Sequence, residues 1–213
     1  MLYVLEDRAE SYSAATRPRS PSKIDLVGYS MGGGIAAAFA STFPTKVNTV
    51  TLIASVGTPS MTRGKQLTYD YVLPVLLRIP LVADPLLKWI LTGSDAGEWV
   101  DPSTDRFRRY SEDLRLRYRV ERALPRSMRL SLLSFPLGDM VDTFKKIRQQ
   151  GTPTLVMWGA NDASVHPDGA QQIKSYVPHA RVCMHPSAGH PIVIEFAEFC
   201  AEKMHRFYID NDK

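Results

Sequence analysis

Apolar positions along this chain recur with two different periods. Ile24-Asp25-Leu26-Val27, Val47 to Val56, Thr154-Leu155-Val156-Met157-Trp158-Gly159 and Ala180-Arg181-Val182-Cys183-Met184 are short apolar runs bounded by turn-forming residues. Their length, branched residues and flanks predict strands, and the near-continuous ones suit a buried parallel sheet. Other segments have helical spacing. Gly33 to Ala40 is rich in alanine, which favours helix and lets it lie close on a sheet, and Phe43-Pro44 stops it. Gln171 to Tyr176 predicts a further helix. Ile192, Val193, Phe196, Phe199, Cys200, Met204 and Phe207 mark one face of an amphipathic helix over 192–208.

The stretch 58–150 is too long for a structureless loop inside a domain. Tyr69 to Leu91 is strongly apolar, but Pro74, Pro80 and Pro85 break it into short helices. Arg78, Asp84 and Lys88 argue against a transmembrane segment there. Gly93 to Pro102 reads as a turn-rich connector. Arg106 to Leu133 reads as one or two charged helices broken at Pro125, ended by Phe135-Pro136-Leu137-Gly138. The pattern therefore predicts an α/β chain with a mainly parallel sheet flanked by helices. Its core comes from 1–57 and 151–213, and 58–150 is a helical cap insert. The apolar half of the insert either lines a pocket for an alkyl or acyl group or packs the cap onto the core.

Composition keeps this picture and narrows the chemistry. With 213 residues, 44% hydrophobic and 23% charged, the chain fits a soluble globular domain with a substantial core. No N-terminal signal-like segment stands out. The net charge of +4 is concentrated in an arginine-rich stretch from Arg106 to Arg129. Interspersed acids allow pairing along helices, so this reads first as a solvated helix face, the other reading being a surface that attracts anionic substrates or lipid headgroups. No nucleic-acid motif accompanies it. The two cysteines, Cys183 and Cys200, make no disulfide framework and favour a reducing, cytoplasmic setting. Neither they nor the five histidines are spaced as metal ligands, and no cofactor is called for.

The candidate chemistry begins at Gly28-Tyr29-Ser30-Met31-Gly32, with a strand expected before it and a helix after. A sharp strand-to-helix turn leaves no room for side chains two positions either side of its centre, and it lifts the central serine above the sheet. Ser30 is thereby a candidate nucleophile. A serine hydroxyl needs a base, and the base needs an orienting acid. His190 lies in the small-residue loop Pro186-Ser187-Ala188-Gly189-His190-Pro191 after a predicted strand. Asp162 follows the strand 154–159 through Ala160-Asn161. Both therefore fall at carboxyl ends of strands, on the same sheet edge as Ser30. Asp168 is a rival acid, better suited to the first turn of the following helix. The Met31 backbone N–H is a candidate donor to a developing oxyanion.

Leu26-Val27-Gly28-Tyr29-Ser30-Met31-Gly32-Gly33, Val156-Met157-Trp158-Gly159-Ala160-Asn161-Asp162 and Gly189-His190 resemble the α/β-hydrolase superfamily, in its cap-bearing esterase and lipase branch. The order Ser30, Asp162, His190 matches the superfamily's serine–acid–histidine order. The resemblance implies a partial α/β-hydrolase fold. It also implies a serine hydrolase that cleaves a carboxylic ester, and the serine at the elbow argues against the epoxide- and haloalkane-hydrolysing branches, which carry aspartate there. The partner would be a small, hydrophobic ester. Amides, thioesters and C–C bonds are the alternative substrates. In the superfamily four strands and an oxyanion loop precede the elbow strand, which needs roughly 80 residues at ~30 per βαβ unit. Here residues 1–29 precede Ser30, and 1–16 are expected to supply at most a helix, followed by a loop over 17–23. That shortfall predicts a front half missing from the chain and an elbow strand left at an open sheet edge. It also opens a different reading, a non-catalytic or impaired relative without the second oxyanion donor.

Overall fold

The computed structural model describes residues 2–5, 23–59, 72–93, 99–120, 124–136 and 138–211. The expected loop over 17–22 and residues 6–16 lie outside them. So do 60–71 and 94–98 of the insert.

Among the described residues, five strands form one sheet in sequence order. They are β1 (Leu2–Leu5), β2 (Ile24–Tyr29), β3 (Val47–Ile53), β4 (Thr154–Gly159) and β5 (Arg181–His185). β2 to β5 are mutually parallel. Alternate residues of these strands serve opposite layers, as the period of two requires. Leu26, Val50, Leu52, Val156 and Trp158 face one core, Val27, Ile53, Leu155 and Met157 the other. The first core is covered by α1 (Met31–Thr42), α6 (Val141–Gln150) and α7 (Asp168–Tyr176). The second is covered by α9 (Ala197–Asn211) through Cys200 and Phe207, together with Ile192.

One expectation needs correction. Residues 2–5 form a strand rather than part of a helix, and β1 pairs antiparallel with β2 over Leu2↔Gly28 to Leu5↔Asp25. Leu2-Tyr3-Val4-Leu5 is a β-prone run, and its pairing satisfies the backbone groups that β2 would otherwise present at an open edge.

At the other end of β2 the register is fixed by a polar lock. The β2–β3 ladder shifts between Ile24 and Asp25, so that Asn48 is an extra residue on β3. Asp25 is buried, and its Oδ1 accepts both Asn48 Nδ2 at 2.9 Å and Thr49 Oγ1 at 2.7 Å.

The insert contributes α2 (Leu73–Arg78), α3 (Pro80–Gly93), α4 (Asp105–Val120) and α5 (Leu124–Ser134). Pro74 and Pro125 fall in first turns, where no N–H is missed, while Pro85 lies inside α3 rather than ending it. Leu77, Ala83 and Leu87 form a small separate core with Leu73, Leu86, Leu132 and Leu133. The last ten residues of 58–150 behave differently. They are α6, and its Phe144 and Ile147 are fully buried in the sheet's first core. No helix among the described residues is long and apolar enough to cross a membrane.

Because Phe144 has no exposed surface, truncating it leaves a cavity that its neighbours fill only in part. Phe144→Ala should lower stability by about 3–5 kcal/mol, read as a fall in the urea midpoint at unchanged m. A midpoint within error of the wild type would show that α6 is dispensable to the sheet core.

Candidate active site

Ser30 sits where β2 becomes α1, and its backbone has φ 56° and ψ −123°. That is a positive φ on a residue with a side chain, a conformation that costs about 1–3 kcal/mol and persists only where its surroundings impose it. Here they do. Ser30 N–H donates to the Ile53 carbonyl at 2.9 Å, and its own carbonyl accepts Gly33 N–H at 3.0 Å and Val56 N–H at 3.2 Å. The turn is tight enough that a Cβ on Gly28 would lie 2.6 Å from the Gly33 Cα and closer still to the Gly32 carbonyl oxygen. Met31 opens α1, so its N–H has no acceptor within the helix.

His190 reaches Ser30 from the loop after β5. Its Nε2 lies 3.1 Å from Ser30 Oγ, and its Nδ1 lies 2.9 Å from Asp162 Oδ2. An ionised carboxylate only accepts, so Nδ1 carries the proton and Nε2 is left as acceptor for the Ser30 hydroxyl. The Asp162 side chain has no solvent exposure and that of His190 17%. The second carboxylate oxygen of Asp162 is also held, by Val165 N–H at 2.7 Å and Ser164 N–H at 3.0 Å. Buried carboxylates need such partners. Asp168 is not part of this group. It opens α7, where its N–H donates to His166 Nδ1 at 3.3 Å.

Two further residues bear on the geometry. The Tyr29 hydroxyl donates to the His190 carbonyl at 3.1 Å, and the two rings lie 5.0 Å apart. Gly159, at the end of β4, permits the histidine loop to cross closely. A Cβ there would lie 2.6 Å from the Ala188 carbonyl carbon. Ala160 N–H and Asn161 N–H then donate to the His185 and Ala188 carbonyls, both at 2.9 Å. The sequence carries the Gly159 signal as a glycine closing an apolar strand. It carries none for the Tyr29 contact, since tyrosine suits a strand end for ordinary reasons.

Neither cysteine is tuned for nucleophilic work. Burial pushes the Cys200 thiol up to about 12. Burial also raises that of Cys183, against the opposing charges of Lys203 and Arg181. Among the described residues no three His, Cys, Asp or Glu side chains gather as a metal site would require.

A family model described as the alpha/beta hydrolase fold matches residues 3–197. Lipase 1 of Psychrobacter immobilis is 28% identical over 187 residues, which cover 87% of this chain and 56% of the lipase. The dihydrolipoyllysine-residue acetyltransferase component of the acetoin cleaving system of Pseudomonas putida is 26% identical over 210 residues, 95% of this chain and 50% of that protein. A solved structure of a thermophilic esterase from Thermogutta terrifontis superposes with a TM-score of 0.61. It is 21% identical, covering 91% of this chain and 67% of the esterase, a likeness of fold. The chain spans 50–61% of the length of the curated relatives it matches.

Two outcomes follow from this geometry. Gly28→Ala should destabilise the fold by at least ~1–3 kcal/mol through overpacking against backbone, seen as a lower thermal midpoint. An unchanged midpoint would mean the turn has slack that the distances do not suggest. Cys200 should resist iodoacetamide at pH 8 in the folded protein and react in urea, because its thiolate is suppressed only while buried. Labelling at equal rates in both states would contradict its burial.

Proposed function

The chain belongs to the α/β-hydrolase fold family, and from that premise we propose that it is a serine hydrolase acting on a carboxylic ester. The observation that carries the reading is the hydrogen-bonded series Ser30 Oγ, His190 Nε2, His190 Nδ1, Asp162 Oδ2, at 3.1 and 2.9 Å. In this reading Ser30 Oγ attacks the ester carbonyl while His190 Nε2 takes the hydroxyl proton. The oxyanion that forms lies at the N-terminus of α1, where the Met31 N–H and the positive end of the helix favour negative charge. The C–O bond then breaks, and His190 returns the proton to the departing alcohol. Water, deprotonated by the same nitrogen, releases the acid from the acyl-serine. Asp162 keeps the imidazole in the required tautomer and offsets its positive charge at each proton transfer. No step calls for a metal or an organic cofactor.

Esters are preferred over amides, thioesters and C–C bonds because Lipase 1 of Psychrobacter immobilis is among the relatives. The apolar insert suits a hydrophobic acyl or alkyl group, with residues 58–150 acting as a cap. Activity also depends on a second oxyanion donor, and loss of one such donor costs about 100–1,000-fold in rate.

A fluorophosphonate probe tests the reading directly. The folded chain should be labelled at Ser30, and labelling should vanish in Ser30→Ala. Hydrolysis of a p-nitrophenyl ester should fall by about 10³-fold or more in Ser30→Ala and in His190→Ala. Folded protein that takes up no probe would sink the enzyme reading and favour a non-catalytic relative.

A further inference from the structure

The insert is tied to the helix that follows His190. That helix, α8 (Ile192–Glu195), is a single turn. Its first residue is bonded to the histidine, since Ile192 N–H donates to the His190 carbonyl at 2.8 Å. Its last residue is bonded to the insert. Glu195 Oε1 accepts Val100 N–H at 2.9 Å and Asp101 N–H at 3.2 Å, and Oε2 accepts Val100 N–H at 3.2 Å. Arg106, at the start of α4, reaches back the other way. Its Nη1 donates to the Glu195 and Ile194 carbonyls at 3.1 and 3.4 Å, and its Nη2 to Glu198 Oε1 at 2.8 Å.

The segment that carries these contacts is itself stiff. Asp101 Oδ1 accepts Ser103 N–H at 2.9 Å, and the Asp101 carbonyl accepts Thr104 Oγ1 at 3.1 Å. Thr104 Oγ1 in turn accepts Phe107 N–H at 3.3 Å, which caps α4. Trp99 is buried and meets the Phe107 ring edge-on at 5.1 Å. The segment 99–107 is therefore held together by its own contacts. Arg106 and Glu198 are 51% and 76% exposed, so their ion pair contributes little alone. The carboxylate that gathers two backbone amides is the stronger half of the clamp.

We propose that Glu195 and Arg106 are positioning residues that lock the insert to α8, so that displacement of the insert displaces His190 from Ser30. The inference rests on the hydrolase reading for its kinetic consequence, but its mechanical half stands without it. The same clamp that holds the insert also sets the distance over which His190 Nε2 must take a proton.

Residue-resolved amide hydrogen exchange on the full chain, with Arg106→Met and Glu195→Ala, tests both halves. In Glu195→Ala the Val100 and Asp101 amides should exchange about tenfold faster. In Arg106→Met, a change made on the insert, the Ile192 amide should exchange about tenfold faster, while Val156 in β4 keeps its wild-type protection as the control for folding. kcat/KM for a p-nitrophenyl ester should fall about tenfold in each variant, mainly through kcat, and the double variant should fall no further because both changes release one clamp. Glu195→Gln keeps one acceptor oxygen and substitutes for the alanine variant if that one fails to fold. Ile192 exchange at the wild-type rate would overturn the proposal, even with Val100 and Asp101 opened, because the insert would then be tethered without coupling to the histidine. A wild-type chain that neither hydrolyses ester nor takes up fluorophosphonate would overturn the hydrolase reading instead, and the Ile192 exchange rate would still decide the coupling.

Discussion

A strand must become a helix at Ser30 within a space that admits no side chain at Gly28. Much of the remaining structure follows from that constraint. The turn forces a positive φ on Ser30, and three backbone hydrogen bonds to Ile53, Gly33 and Val56 hold it there. Two of those partners belong to β3 and the segment just after it. The elbow is therefore anchored by its neighbouring strand as well as by its own chain. Because β2 to β5 run parallel, the segments leaving β4 and β5 emerge at the same edge and bring Asp162 and His190 toward the serine. The sheet thus sets the approach of all three side chains before any of them touches another.

The most legible parts of the sequence were those whose physics is local. β4 announces itself through an uninterrupted apolar run, Leu155 to Trp158, because both of its faces are buried. The positions of Asp162 and His190 are legible because each follows a predicted strand through a short polar or small-residue loop. The parts that were hidden depend on partners distant in the chain. Leu2 to Leu5 reads as a strand only once β2 is there to pair with it. The amphipathic spacing over 192–208 is real, but the helix pauses at Phe196, whose φ −120° and ψ 45° split it into α8 and α9. Nothing in the spacing of apolar residues marks that pause. Arg106 reads in the sequence as one more charge on a solvated helix face, because its bonds to Glu195 and Glu198 span about ninety positions of sequence.

Burial divides the insert in the same way. Leu77, Ala83 and Leu87 make a core of their own, separate from those on the two faces of the sheet. Phe144 and Ile147 of α6 instead pack with α1 and α7 against β2, β3 and β4. Hydropathy treats all these residues alike, since it records how apolar a side chain is and not which core receives it.

The lock between Asp25, Asn48 and Thr49 lies at the opposite end of β2 from the elbow. The strand between them is nearly inextensible, so the lock acts as the zero mark of a ruler. It sets which rung of β3 stands beside Tyr29, and hence that the Ile53 carbonyl is the one offered to the Ser30 amide. A slip of one rung would exchange Leu26 and Val27 between the two layers and leave the serine facing the wrong neighbour. A carboxylate outside the Ser30–His190–Asp162 series thus calibrates, from the far end of its strand, the height at which the Ser30 hydroxyl is held.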